Sequence, residues 1–167
     1  MTKQELIISR SFKAPIVLVW EAFSTAAHLA QWWGPKGFET VLKQFQFEIN
    51  GVFHYGLKGP DGSIMWGIFN YKEIDKPTKL AFTNAFSNEE GELVSAPEIP
   101  FGKDWPLEIL NTITFKEQDD TTLMKMISYP MHPTEESLQT FGNNIQNMEI
   151  GFNGTFNNLE SFLKIIK

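Results

Sequence analysis

The strongest hydrophobic pattern lies in the last fifth of the chain. Between Glu135 and Lys167 the apolar residues Leu138, Phe141, Ile145, Met148, Phe152, Phe156, Leu159, Leu163 and Ile166 recur at steps of three or four. That is the period of an amphipathic α-helix. On a helical wheel they cover an arc of roughly 100°, and Asn143, Asn144, Asn147, Asn157, Asn158, Glu160 and Lys164 fall outside it. Pro133 and Thr134 precede Glu135 and Glu136, so a capping hydroxyl and two carboxylates meet the positive end of the helix. A helix over Glu135–Lys167 would span about 50 Å, too long to bury its stripe on one neighbouring helix, so it needs a sheet to lie across. Gly142, Gly151 and Gly154 each cost roughly 1 kcal/mol of helix propensity against alanine, and a bend is expected near Gly142. Phe152 is read as core, with about 3–5 kcal/mol lost on truncation to alanine.

Upstream the period is mostly two. Glu5–Lys13 alternates as a strand, and Ala14-Pro15 stops it. Pro15 suits the first turn of a helix, and Ile16, Val19, Trp20 and Phe23 continue at helical spacing to Ser24. A second short helix, Ala26–Trp32, runs into Trp33-Gly34-Pro35, which forces the exit. From Phe38 onward alternation returns. Val41, Phe45, Phe47 and Ile49 share a face, and Asn50-Gly51 reads as a two-residue hairpin turn leading to Phe53, Tyr55 and Leu57. Further strands are predicted over Ser63–Glu73, Leu80–Phe86, Ile109–Phe115 and Thr122–Tyr129. Ser87–Pro106 has no period, three prolines and several acids, so it is either a functional flap or mobile, and Asn88–Lys103 is expected to be the most mobile internal segment with Trp105 anchoring its end. Strand, two short helices, a run of five or six hairpin-linked strands and a long helix make an α+β protein. Its antiparallel sheet buries one concave face under the helix.

Composition bounds the rest. The 167 residues favour a single domain, with 42% apolar and 20% charged residues as in ordinary globular proteins. There is no cysteine, which excludes disulfides, thiolate metal sites and a cysteine nucleophile, and fits a reducing cytoplasm. No apolar run approaches the length of a membrane span, and Met1–Gln4 is too polar for a signal peptide. A net charge of −6 with no basic cluster makes nucleic acid a poor partner.

Catalytic motifs are missing. His28, His54 and His132 stand apart at no ligand spacing, and the pairs Glu89-Glu90 and Glu135-Glu136 point away from one another on either a strand or a helix. No cofactor and no metal is implied. Asn84 and Asn111 do draw notice, because each occupies an apolar phase of its strand. An amide facing a core finds a partner or costs about 1–3 kcal/mol. They mark either a polar spot in an apolar cavity or bonds to neighbouring groups. Met124, Met126 and Met148 would add adaptable surface, or simply core. Trp32 and Trp33 read as an anchor where the short helices meet the sheet, with a ligand gate as the alternative.

Several stretches together resemble the SRPBCC (START-like) superfamily and its helix-grip fold. Within it the chain is similar to the family named after the C-terminal domain of the activator of heat-shock protein 90 ATPase. Ala14-Pro15 with Val19-Trp20 and Ala22-Phe23, then Leu29-Ala30-Gln31-Trp32-Trp33-Gly34-Pro35, carry the likeness. Glu73-Ile74, Leu80-Ala81-Phe82-Thr83 and Thr122-Leu123-Met124 extend it over essentially the whole chain. The resemblance implies a cavity between sheet and long helix that takes apolar or aromatic small molecules. Its expected lining, in a closed or nearly closed form, is Phe82, Asn84, Asn111, Met124, Met126, Phe141, Ile145 and Met148. The alternative implied by the family is an interaction module acting as a chaperone cofactor, with a homodimer partner also left open. An enzyme of the cyclase or hydrolase kind ranks third.

Overall fold

The computed structural model describes residues 4–97, 102 and 104–166. In chain order the elements are β1 (Leu6–Phe12), α1 (Ile16–Ser24), α2 (Ala26–Trp32), β2 (Glu39–Phe45), β3 (Val52–Lys58), β4 (Ile64–Asp75), β5 (Lys79–Phe86), β6 (Ile109–Gln118), β7 (Thr121–Pro130), α3 (Glu135–Asn143) and α4 (Ile145–Ile166). The strands form one antiparallel sheet in the order β1-β7-β6-β5-β4-β3-β2. Each strand from β2 to β7 therefore pairs with its sequence neighbour, as short turns dictate. β1 closes the far side on β7, and α1 with α2 carries the chain from one edge to the other. Bulges between Leu42 and Gln44 and between Tyr71 and Glu73 add twist and bend to the sheet. No helix of the described residues is long and apolar enough to cross a membrane.

The inward phase of the strands builds the core. Leu6, Ile8, Phe53, Phe69, Tyr71, Phe82, Ile113, Met124 and Met126 are all buried there. The helical stripe packs on them unevenly. Phe141 near its start, and Phe156, Leu159 and Leu163 towards its end, are buried, while Ile145, Met148 and Phe152 between them are only partly so. The helix is held at both ends and stands off the sheet in its middle.

Three expectations need correction. The long helix is two helices, and the break falls at Asn144 rather than at Gly142. Gly142-Asn143-Asn144 strings together three weak helix formers. The Asn144 amide donates back to the Thr140 carbonyl at 2.8 Å, an alternative to continuing the helix. Gly142 has a packing role instead: a Cβ there would meet the Gln4 side chain at 2.9 Å. Second, Asn50-Gly51 is not a two-residue hairpin. β2 ends at Phe45, and the Asn50 N–H donates to the Tyr71 carbonyl, so residues 46–51 form a wider turn tied to β4. Third, part of the expected flap is ordered structure. Ser87 pairs with Leu93, and the Asn88 side chain accepts from the backbone N–H of Glu90 and Glu92, giving a tight turn. Residues 98–101 and 103 of that flap lie outside the described residues. Trp105 does pack at its end, 6.0 Å from Phe141 between ring centroids.

The uneven stripe changes the expectation for Phe152. In urea denaturation Phe156→Ala should lose about 3–5 kcal/mol, as for a fully buried aromatic, and Phe152→Ala only about 1–2 kcal/mol. The opposite order would mean that the helix presents a different face to the sheet.

Candidate functional site

Where the helix stands off the sheet it leaves an open cleft of about 460 Å³. One wall is α4, with Asn144 and Asn147 at the rim and Met148, Gly151, Phe152 and Thr155 along the face. The positions 148, 151, 152 and 155 are one helical face, and two of them carry the small residues Gly151 and Thr155. A Cβ at Gly151 would meet nothing within 4 Å. The opposite wall is Trp33-Gly34-Pro35 at the exit of α2, Tyr55 and Leu57 of β3, and Trp105. A second recess of about 250 Å³ shares Pro35, Tyr55 and Leu57 with the first and continues over Trp66, Gly67, Asn84 and Phe86. Tyr55 is the divide between the two lobes.

The two tryptophans of the α2 exit have separate tasks. Trp32 is fully buried, donates its indole N–H to the Ala22 carbonyl at 2.9 Å and packs edge-on against Phe23. It fixes α1 against α2. Trp33 turns the other way, edge-on to Phe69 at 4.9 Å and to Tyr55 at 6.2 Å, and 6.3 Å from Phe152. Its indole nitrogen is buried and completes no hydrogen bond. That N–H lies beside the Tyr55 oxygen, where it works against the rise in the phenol pKa that burial causes; burial prevails and pushes it up to about 12. Tyr55 is thus a neutral O–H donor throughout the physiological range. Among the described residues no acidic or basic side chain lines the larger lobe. Among the described residues no cluster of His, Asp or Glu is arranged to hold a metal ion.

The structure distributes the eight expected lining residues differently. Met148 lines the cleft. Ile145 packs partly buried against the core one turn away. Asn84 lines the second lobe. Phe82, Asn111, Met126 and Phe141 are buried in the core, and Met124 is buried between β1 and β6. The two amides satisfy each other: the Asn111 amide donates to the Asn84 carbonyl oxygen at 2.7 Å, and the Ser128 hydroxyl donates to Asn111 at 2.5 Å. The expected closed cavity is an open cleft displaced towards the middle of α4. Tyr55, Leu57, Trp105 and Gly151 were missed as lining. The available signal was the pairing of small residues, Gly151 and Thr155, with apolar ones on a single helical face.

With this geometry in place, comparison with known proteins is informative. A family model described as Activator of Hsp90 ATPase homolog 1-like protein matches residues 13–164. The chain belongs to this family. No curated protein matches the sequence. Among solved structures, a protein from Staphylococcus epidermidis is 26% identical with a TM-score of 0.79, over 100% of this chain and 93% of that one. A protein from Arthrobacter aurescens is 25% identical with a TM-score of 0.79, over 97% and 87%. The AHSA1 protein from Silicibacter pomeroyi, at 16% identity and a TM-score of 0.70 over 98% and 99%, shares the fold. The family match spans both the Trp32-Trp33-Gly34-Pro35 stretch and α4, the two sides of the cleft, and the architecture is the helix-grip fold of these neighbours.

The raised phenol pKa has a consequence for stability. An unfolded tyrosine ionises near pH 10, while folded Tyr55 holds its proton to about pH 12. Between those values the folded state binds more protons than the unfolded one, so stability falls as pH rises through the window. Denaturant titrations from pH 9 to 11.5 should show this decline, and Tyr55→Phe should make it shallower. Equal slopes for the two proteins would mean that Tyr55 is not desolvated.

Proposed function

We infer that the protein binds an apolar or aromatic small molecule in the cleft between α4 and the sheet. The observation that carries this reading is the Gly151 position. A glycine in a 22-residue helix costs about 1 kcal/mol against alanine, and nothing within 4 Å would oppose a side chain here. Its one structural effect is room in the cleft. The lining supports the same reading: aromatic and aliphatic faces with few polar groups are the usual composition of a small-molecule site. The cleft volume of about 460 Å³ suits a molecule of two or three rings. The described lining residues include no acid–base pair, which supports binding without chemistry on the ligand. A cytoplasmic location accords with the cysteine-free composition.

The family description supplies a second reading, a cofactor that stimulates the heat-shock protein 90 ATPase. The two readings separate in one experiment. A panel of aromatic and aliphatic compounds is titrated against tryptophan emission, which Trp33 and Trp105 report from the cleft walls. Midpoints in the micromolar range are expected, about −8 kcal/mol. Gly151→Leu should fill the cleft, hold or raise the melting temperature, and abolish the response. A panel without a binder, together with stimulation of the chaperone ATPase that Gly151→Leu leaves intact, would replace the first reading by the second.

A further inference from the structure

The inner wall of the cleft carries two polar hydrogens, one on the Trp33 indole, which is buried and completes no hydrogen bond, and one on the Tyr55 hydroxyl. Tyr55 is 6% exposed. The Trp33 side chain approaches its hydroxyl oxygen. It stands over Gly67, which lines the second lobe, so closely that a Cβ at Gly67 would lie 2.6 Å from the phenol oxygen. The register explains the arrangement: Tyr55 and Gly67 are direct cross-strand partners. Only the absence of a side chain at Gly67 lets the ring lie flat enough to bring its hydroxyl to the divide between the lobes. Behind it, the Trp33 indole nitrogen is buried and unpartnered.

We propose that Trp33 and Tyr55 form a two-step donor relay that selects, among apolar ligands, those carrying an uncharged acceptor oxygen such as a ketone or ester carbonyl. The Tyr55 O–H donates to the ligand oxygen, and the Trp33 N–H donates to the Tyr55 oxygen. This rests on the reading of the cleft as a ligand site. Three arguments fix the ligand class. A hydrocarbon ligand that covers the Tyr55 O–H cuts it off from water, so a ligand that supplies an acceptor is bound more tightly than its hydrocarbon counterpart. A donor that is itself an acceptor in a low-dielectric wall is polarised and strengthened by the group behind it. A carboxylate would gain the same hydrogen bond but would be desolvated with no cation among the described lining residues to offset the loss. Gly67 is a positioning residue, acting through the phenol that it makes room for.

Isothermal titration calorimetry with benzophenone and diphenylmethane tests the relay, because the two compounds differ only in a carbonyl in place of a methylene. The unaltered protein should bind the ketone about tenfold more tightly, the worth of one desolvated hydrogen bond. Tyr55→Phe should erase that preference and leave the hydrocarbon within about twofold of its original affinity. Trp33→Phe should reduce the preference in part, to roughly threefold. Gly67→Ala, which keeps the hydroxyl but displaces it, should also weaken the ketone selectively. Equal affinities in the unaltered protein, or a ketone preference that persists in Tyr55→Phe, would overturn the relay while leaving the cleft as a binding site. Failure of the unaltered protein to bind either compound would overturn the cleft reading and the relay together.

Discussion

The fold depends on how a long amphipathic helix is buried on a concave sheet. α4 alone is 22 residues, about 33 Å at 1.5 Å per residue, and a rod of that length crosses a curved surface as a chord. Close contact falls to α3 on one side and to the C-terminal half of α4 on the other. Phe141 on α3 and the group Phe156, Leu159 and Leu163 on α4 are buried, and Met148 and Phe152 between them are not fully covered. The bulges in β2 and β4 add twist and bend to the sheet beneath the helix. The α2 exit fills part of the gap with Trp33, and what remains is the cleft. Trp32, locked by its hydrogen bond to Ala22, keeps that exit in place.

The same constraint divides one motif between core and cleft wall. Neighbouring tryptophans face opposite ways, one into the core and the other onto the cleft wall. On α4 the alternation of large and small residues does comparable work. Phe152 and Phe156 stack 6.0 Å apart and continue the core upward, and Gly151 and Thr155 beside them leave space. A polar chain through Asn84, Asn111 and Ser128 ties β5, β6 and β7 together beneath this region. Because both of its amide atoms are bonded, Asn111 lies in the core beneath the cleft without the usual cost of burying an amide.

Local periodicity carried the fold into view. The bounds of α2 and the strand phases of β3, β4 and β5 follow from apolar spacing and turn residues, and the Thr134 cap is present with Ser137 as its reciprocal partner. The site was less legible, for a physical reason. Phase tells which residues point inward but not where two inward-facing surfaces fail to meet. Phe82, Asn111, Met124, Met126 and Phe141 point inward and are covered; Tyr55, Met148 and Phe152 point inward and border a gap. Distinguishing them requires the curvature of the sheet and the length of the chord, which are tertiary quantities. The break at Asn144 is a similar case. Gly142 is the weakest helix former there, yet packing against Gln4 holds it helical and the fault moves to the asparagine that can bond its own preceding turn.

Membership of the Activator of Hsp90 ATPase homolog 1-like family fixes the architecture, and ligand binding would use the space that this architecture leaves open. The most direct test is a nitrogen-15 spectrum of the tryptophan indoles during titration with a cleft ligand such as benzophenone. The indole signals of Trp33 and Trp105 should shift progressively, with Trp33 moving downfield as its N–H bonds more strongly to the Tyr55 oxygen. Those of Trp32, already bonded to Ala22, and of Trp20, packed against Phe47 and Phe115, should stay in place. A spectrum in which Trp33 and Trp105 do not move while ligand binds, or in which Trp20 and Trp32 move instead, would contradict the cleft as the site of recognition.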